Sequence, residues 1–379
     1  MKLTVVIPCL NEAQTIQKAI GLAKELISAV GGDGEVVVAD NGSADASRAL
    51  AAEAGARVVP VERKGYGFAL MAGIRAAAGD VIVMGDADAT YDFREAAPLV
   101  EAVACGECDL AMGSRLRGNI EKGAMPFLHR WLGTPVLSWL IRLFFGLPIS
   151  DCNCGMRAFS KESSERMNLV CGGMEFASEM LVKASVAGLR VKEWPVSLLK
   201  DTRNRQPHLH TWRDGWRHLR FLLLFAPHVL FRIPGMALAI LFGLATLALS
   251  MGPVTVAGRS FDYHHLFYTV PLFCIGQQML WFNAFAVRFR RFTGLGGPPP
   301  ARLPLEHWLL FGGFAILVGV GVFAFVFVHW WNGGRAALLA VRPCSLGLTL
   351  VLTGALSIIN ALMTSMLELH FIASHETVN

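Results

Sequence analysis

Beyond Phe221 the chain contains no lysine, and its only acids are Asp262, Glu306, Glu368 and Glu376. Within that half lie four apolar stretches, Gly235–Met251, His264–Val287, Trp308–Trp331 and Cys344–Leu367. At about 1.5 Å per helical residue, each is long enough, or nearly so, to cross about 30 Å of hydrocarbon. Inside a bilayer a helix satisfies its own backbone polar groups, so these stretches restrict the fold more than any other feature. The first is the shortest, and its pattern extends back through Pro234. Trp308, Trp330 and Trp331 stand at span ends, where interfacial aromatics belong. The loop after the second span carries Arg288, Arg290, Arg291 and Arg302; the other two carry Arg259, and Arg335 with Arg342. The positive-inside bias therefore places that loop, the N-terminal region and the C-terminus in the cytosol. The expected location is a bacterial inner membrane or its equivalent.

Residues 1–220 hold nearly all the Lys, Asp and Glu. Over the whole chain charged residues make up 17%, against about 25% in a soluble domain. The net charge of +5 comes without a basic tail, so a nucleic-acid partner is not expected. The eight cysteines include Cys105/Cys108 and Cys152/Cys154, but no matching Cys/His set stands at zinc spacing. They read as reduced or buried thiols. The opening Met1–Pro8 is too short an apolar run for a signal peptide and ends in proline.

The first 200 residues alternate β-branched runs with helical patterns. The expected strands are Leu3–Ile7, Glu35–Ala39, Arg57–Val61, Val81–Met84, Asp109–Met112 and Gly155–Phe159. Helices are expected at about 12–30, 43–54, 67–78 and 94–104, with Gly31-Gly32 and Gly79 as C-terminal caps and Ser43 as an N-cap. Strands that are almost wholly apolar suit a parallel sheet covered on both faces. The expected fold class is α/β, a Rossmann-like, mostly parallel sheet built of right-handed βαβ units, followed by a helical transmembrane domain. Ligands of such sheets bind beyond the carboxyl ends of the strands.

Two further segments read as membrane-facing. Pro126–Ile149 carries Trp131, Trp139, Phe144 and Phe145 among leucines, interrupted by Arg130 and Arg142, which suits a helix lying on a bilayer. Residues 200–220 are basic, with Trp212, Trp216 and Leu219 spaced for one helical face, as anionic headgroups favour. The expected divisions are 1–206 with its interfacial segment 126–149, a basic amphipathic helix over 207–230, and a transmembrane domain over 231–379.

The candidate chemistry lies at strand ends. Asp86-Ala87-Asp88 follows the apolar strand Val81–Met84. Two carboxylates so spaced can share one hard divalent cation, with a nucleotide diphosphate filling the remaining positions. Pro8-Cys9-Leu10-Asn11-Glu12 follows the first strand and Asp40-Asn41-Gly42-Ser43 the second. An acid there can accept base or ribose hydrogen bonds, although Asn11 and Asp40 also suit helix capping or a turn. Gly65-Tyr66-Gly67, beside Arg63 and Lys64, lets backbone and cations approach a phosphate.

The ordered set Val6–Glu12, Asp40–Ser43 and Asp86–Asp88 resembles the family-2 glycosyltransferases of GT-A fold. Gly113-Ser114-Arg115, Asp151-x-x-Cys154-Gly155-Met156-Arg157-Ala158-Phe159 and Phe176-Ala177-Ser178-Glu179 resemble more narrowly the polyprenyl-phosphate hexose synthases. The resemblance covers about residues 1–210. It implies that Pro8, Asn11, Glu12 and Asp40 hold the base and ribose of a nucleotide-diphosphate sugar, with Lys64 and Gly65 near its phosphates. It implies that Asp86 meets the ribose or diphosphate, and that Asp86 and Asp88 hold Mg²⁺ or Mn²⁺. Arg115 would meet the acceptor phosphate, and Arg157, Arg203 and Arg205 the diphosphate or the lipid phosphate. A catalytic carboxylate would come from Glu175 or Glu179. The sequence departs from the family at Ala89-Thr90-Tyr91-Asp92-Phe93, where a Gln or Ser and then Pro often follow the acids, so Asp92 carries no assigned role.

Chemistry favours a phosphate acceptor over a hydroxyl. A hydroxyl must lose a proton on attack, whereas a phosphate monoester, with a second pKa of about 6, is already largely ionised. It needs an arginine fork rather than a base. The expected activity is inverting, metal-dependent transfer of a hexose to polyprenyl phosphate beside membrane lipids. The alternatives are transfer to a lipid hydroxyl or a growing polysaccharide, and a non-catalytic membrane partner. The Gln-x-x-Arg-Trp motif of processive synthases is absent, the nearest stretch being Arg205-Gln206-Pro207-His208. A homo-oligomer stays open, and the nearly charge-free spans argue against a transporter.

Overall fold

The computed structural model describes residues 1–201, 203, 211–292, 304–333 and 340–376. The chain divides into two compact units, Met1–Phe225 and Ala226–Asn379.

The first unit runs β1 (Leu3–Cys9), α1 (Ile16–Ala29), β2 (Gly34–Asp40), α2 (Ser47–Glu53), β3 (Arg57–Pro60), α3 (Tyr66–Ala76), β4 (Val81–Met84) and α4 (Ala97–Ala104). It continues through β5 (Leu110–Ser114), α5 (Thr134–Phe145), β6 (Arg157–Ser160), α6 (Lys161–Met167), α7 (Phe176–Val186), β7 (Val191–Pro195) and α8 (Thr211–Phe225). The strands form one sheet in the order β3-β2-β1-β4-β6-β5-β7. All neighbours are parallel except β6, which runs antiparallel to both β4 and β5. Val5 stands opposite Val36 on one side and Val83 on the other. These valines are buried because helices cover both faces, and each contributes about 1.5–3 kcal/mol by leaving water. Helix α1 buries Ile16, Ala19, Ile20, Ala23, Leu26 and Ile27, the stripe expected of a helix packed on a sheet.

Gly31 and Gly32, at φ +127° and +77°, end α1 as expected, with the Gly32 N–H donating to the Ile27 carbonyl at 2.8 Å. Two expected caps take other roles. Helix α2 begins at Ser47 with Ala46 before it, while the Ser43 hydroxyl accepts the Asn11 N–H at 2.9 Å. Gly79 lies beyond the end of α3; its N–H donates to Thr4 Oγ1 at 2.9 Å, and a β-carbon there would stand 2.7 Å from the Lys2 carbonyl and the Thr4 nitrogen. Glycine at 79 therefore serves close approach to β1. Strand β7, absent from the sequence reading, is an edge strand beside β5.

The segment before β6 has two apolar faces. A π-helical turn, His129–Gly133, runs into α5. Leu137, Ile141 and Phe144 are buried, while Phe127, Trp131, Leu132, Trp139 and Leu143 are more than half exposed. Helix α8 covers Thr211–Phe225, and the chain leaves it at Ala226, before the expected end at 230, while residues 204–210 lie outside the described residues; Phe221 and Leu222 are buried and Trp216 is exposed.

The second unit comprises α9 (Ile233–Met251), a hairpin of β8 (Val254–Val256) and β9 (Arg259–Phe261), α10 (Leu266–Phe292), α11 (Leu305–Asn332) and α12 (Val341–Glu376). Among the described residues four helical segments are long and apolar enough to cross a membrane: His228–Met251, Tyr263–Arg290, Leu305–Asn332 and Val341–Leu367. The first does extend back through Pro234, as far as His228. Small residues let the helices touch. A β-carbon on Gly354 would meet the Gly312 carbonyl at 2.4 Å, and one on Gly276 would meet the Ala239 nitrogen at 2.5 Å.

Candidate active site

The carboxyl ends of β1, β2 and β4 bring the expected acids to one rim. Asn11, at φ +57°, leads out of β1, and its side-chain oxygen accepts the Ala44 N–H at 2.8 Å. Pro8 sits one residue inside β1, half-buried and paired with Ala39. Asp40 ends β2 fully buried and accepts the Gly42 and Ser43 N–H groups at 3.0 and 3.2 Å. Burial raises its pKa, but the Ser43, Arg48 and Gly42 hydrogen bonds outweigh it and hold the carboxyl below its usual range. Asn41 joins this turn to the glycine-rich one. Its amide donates to the Arg63 carbonyl at 2.8 Å, its oxygen accepts the Gly65 N–H at 2.7 Å, and Lys64 Nζ donates to its backbone carbonyl at 2.8 Å.

Asp86 and Asp88 leave β4 on the same rim. Tyr66 donates its hydroxyl to Asp86 Oδ1 at 3.0 Å. Burial, and then the charge of Asp88, push the Asp86 carboxyl up to about 7. Asp88 Oδ1 accepts from the Thr90 N–H and hydroxyl at 3.0 and 2.7 Å. Its Oδ2 accepts from Arg203 Nη2 at 3.1 Å. Arg203 also donates to Glu12 Oε1 at 2.7 Å and to Asp201 Oδ2 at 2.6 Å. Three carboxylates thus surround one guanidinium. Asp92 turns away from it, capping the next helical turn and pairing with Arg94.

Arg115 follows β5 and forks onto the fully buried Asp151, with Nε to Oδ2 at 2.7 Å and Nη2 to Oδ1 at 2.8 Å. Glu193 on β7 accepts the Ser150 and Asp151 N–H groups at 2.7 and 3.0 Å and so sets that loop. Helix α5 is bonded to the same loop: the Cys152 N–H donates to Ser138 Oγ at 3.0 Å, and Asn153 Nδ2 to Thr134 Oγ1 at 3.3 Å.

The structure leaves two expected residues inside the unit. Arg157 is completely buried, and its guanidinium donates to the carbonyls of Cys154, Ala177 and Cys152 at 3.1, 2.8 and 2.8 Å. Glu179 is also completely buried, paired with Lys183 at 2.8 Å and accepting the Val170 and Cys171 N–H groups. Glu175 sits half-buried just before α7, and its Oε2 has no hydrogen-bond partner among the described residues. Arg205 lies outside the described residues. Asn41, Tyr66 and Asp151 stand within motifs named from the sequence but were assigned no role there, and Glu193 and Asp201 were not singled out.

Among the described residues no group of three or more His, Cys, Asp or Glu side chains stands ready for a metal. The Asp86/Asp88 pair still fits a hard divalent cation. Burial and mutual repulsion ask for positive charge, no described hydrogen bond reaches Asp86 Oδ2, and a cationic guanidinium already neutralises Asp88 Oδ2. Mg²⁺ is commonly held by one or two carboxylates with phosphates supplying the rest.

Residues 4–167 match the family described as glycosyl transferase family 2, and residues 300–368 match the glycosyltransferase family 2 C-terminal transmembrane region. The chain is 38% identical to the low-salt glycan biosynthesis hexosyltransferase Agl6 of Haloferax volcanii, over 89% of this chain and 82% of that one. It is 30% identical to a dolichyl-phosphate hexose transferase of the same organism, over 51% of this chain and 81% of that one. Among solved structures it is similar to glucosyl-3-phosphoglycerate synthase of Mycobacterium tuberculosis, crystallised with Mn²⁺, UDP and glucosyl-3-phosphoglycerate, at 25% identity and a TM-score of 0.47 over 59% of this chain and 80% of that one. A carboxylate-lined rim on a mostly parallel sheet, four long apolar helices later in the described chain and a relative matched along most of its length together make this chain a member of glycosyltransferase family 2, an enzyme integral to a membrane.

Proposed function

We propose that the protein transfers a hexose from a nucleotide-diphosphate sugar to polyprenyl phosphate at the cytosolic membrane face, with inversion at the anomeric carbon and with Mg²⁺ or Mn²⁺. The observation that carries the acceptor is the tie between α5 and the Arg115 loop. An exposed apolar helix suited to a lipid surface is hydrogen-bonded, through Ser138 and Thr134, to the loop that holds an arginine fork. A lipid phosphate presents that pair of chemistries together. The relative named as a dolichyl-phosphate hexose transferase supports the reading.

Each residue has a part. Pro8, Asn11, Glu12 and Asp40 line the turns that take the base and ribose, and Lys64 and Gly65 lie near the phosphates. Asp86 and Asp88 hold the cation, which when bound neutralises charge on the leaving diphosphate. Arg203, which pairs with Asp88, would be free to offer its charge to the diphosphate with the cation in place. Arg115 holds the acceptor phosphate, whose oxygen attacks the anomeric carbon opposite the departing nucleotide. Glu175, with an unengaged oxygen, accepts any proton the acceptor still carries, and Glu179 is a structural anchor. Arg157 serves as a bracket for three carbonyls rather than a phosphate ligand. The basic α8 and the exposed face of α5 lie at the headgroup level, and the arginine-rich loop after the second span shares their side.

A lipid-hydroxyl acceptor is the second reading, favoured by that same oxygen of Glu175, which suits a general base. The purified chain in vesicles, given radiolabelled nucleotide sugars, decides between them. Label on polyprenyl phosphate but not on free polyprenol is expected. Label on polyprenol alone refutes the phosphate acceptor. Arg115→Ala should raise the KM for polyprenyl phosphate about tenfold or more and leave the donor KM near wild type.

A further inference from the structure

Beyond its contact with Asp86, Tyr66 sits in unusually constrained packing. Its hydroxyl donates to Asp86 Oδ1 at 3.0 Å. The other oxygen of Asp86 faces Gly155, where a β-carbon would stand 2.6 Å from Oδ2. The Gly155 N–H is itself engaged by the Tyr91 hydroxyl at 3.1 Å. The carboxylate is therefore held at one oxygen and given room at the other.

Tyr66 opens α3, and the glycines on either side of it press that turn against the loop that leads to Glu175. The Gly67 N–H donates to the Gly172 carbonyl at 2.9 Å. A β-carbon at Gly67 would stand 2.1 Å from the Cys171 carbonyl, and one at Gly65 2.2 Å from the Gly172 carbonyl. Gly65 also adopts φ +145°, which side-chain-bearing residues rarely adopt. Gly172 in turn lies under the Phe68 ring, 2.1 Å from where its β-carbon would be, and the Arg63 guanidinium covers that ring at 4.0 Å. The far side of the loop is gripped by Glu179, which accepts the Val170 and Cys171 N–H groups at 3.0 and 2.8 Å. An unbroken run of contacts joins Glu179, residues 170–173, the first turn of α3, Tyr66 and Asp86. Glu175 stands two residues past Gly173 on the same loop.

We infer that Tyr66 is a positioning residue: it orients the donor-binding carboxylate of Asp86 and ties that orientation to the seating of the 170–175 loop, so the donor and Glu175 sides of the site are set together. The inference deepens the proposed donor site and rests on it. At neutral pH a phenol donates, and a hydrogen bond to a carboxylate is among the stronger ones.

The test uses the purified full chain in detergent and the variant Tyr66→Phe, which keeps the ring and removes only the hydroxyl. Calorimetric titrations with UDP and with GDP in excess Mn²⁺ read donor-site affinity without turnover. The wild type is expected to take up one of them, and Tyr66→Phe to bind it about tenfold more weakly. In steady state the donor KM should rise by a similar factor while kcat changes less than about threefold, since a merely misfolded fraction lowers kcat and leaves KM alone. Hydrogen exchange supplies the coupling: nucleotide and Mn²⁺ should protect residues 168–175 in the wild type and not in Tyr66→Phe. Wild-type affinity in the variant overturns the positioning role, and equal protection of the loop in both proteins overturns the coupling. If the wild type itself takes up neither diphosphate, the donor-site reading falls first, an outcome distinct from equal binding by both proteins.

Discussion

The two units handle polar side chains in opposite ways. In residues 1–225 acids and arginines gather at one rim of the sheet, and three carboxylates, those of Glu12, Asp88 and Asp201, share the single cation of Arg203. In residues 226–379 charged side chains such as Arg288, Arg290, Glu306 and Arg342 stand near the ends of the spans, and between them neutral amides meet across helices. Gln278 and Asn360 exchange amide hydrogen bonds at 3.1 and 2.9 Å, and Gln277 reaches the Thr353 carbonyl and the Ser357 hydroxyl, each at 3.2 Å. The ion pair described there, Arg342 with Asp262, lies at helix ends. Water can cover an imperfectly matched charge, so a rim in water can keep an excess of carboxylate for a ligand to neutralise. Hydrocarbon offers no such cover, so a span keeps few charges and pairs its amides. Carboxylates gathered at a rim are thus a sign of function in the first unit, and amides paired inside the spans of the second a condition of solubility in lipid.

The sharpest way to break this contrast is to empty the rim. Asp88→Ala should cut transfer by about a thousandfold or more and leave the melting temperature of the protein near wild type, measured by labelled-lipid formation and thermal scans. Substantial turnover by this variant in excess chelator would sink the metal role. A polar group that supports structure in the same unit should behave in the reverse way. Arg157→Met strands three buried carbonyls and should lower the melting temperature of the first unit by about 10 °C, read by loss of nucleotide binding on heating.

Two rim acids should respond to pH with opposite signs. Asp40 is held below its usual range by its hydrogen bonds, so it adds stability above about pH 4, the unfolded value, that is lost as pH falls through its lower folded value. Asp86 is the converse. The unfolded chain releases that proton near pH 4 and the folded, metal-free chain near 7, so folding takes up a proton between the two. Metal-free stability from this group therefore falls as pH rises across that window, and cation binding there should release a proton. Thermal scans of wild type and Asp86→Asn between pH 4 and 7, without metal, check it: the asparagine variant should lack the decline. The smallest effect belongs to the membrane unit. Asn360→Leu should destabilise the span pairing by about 1 kcal/mol, with Gln278→Leu adding less than its single cost when combined, because the two amides share one pair of bonds. Full additivity in detergent unfolding would show that the seam does not couple the second and fourth spans.

Much of this was legible beforehand wherever a local pattern carried it. The strands through β6 lie within about two residues of their expected ends, because an unbroken apolar run must be buried on both faces. Strand β7 was not, because Val191-Lys192-Glu193-Trp194-Pro195 alternates, sits at an edge and ends in proline. Yet β7 carries Glu193, which sets the Arg115 loop. Arg157 read as a ligand of the diphosphate or the lipid phosphate because the family resemblance implied it. Only the fold shows the backbone carbonyls closing around it. Glu175 and Glu179 were indistinguishable in a string, whereas Lys183 and two backbone N–H groups engage Glu179.

By itself the sequence determined what depends on neighbours along the chain: an α/β domain, four spans, and acids at the ends of strands. Hydrophobic periodicity and turn chemistry act over a few residues and need no tertiary knowledge. The tertiary structure alone decided which charges meet, as with Arg203 and Glu12, 191 residues apart, or Gln278 and Asn360, 82 apart. Ion pairs and side-chain hydrogen bonds act over a few ångströms in space, and no pattern along the chain records which distant residues folding brings that close.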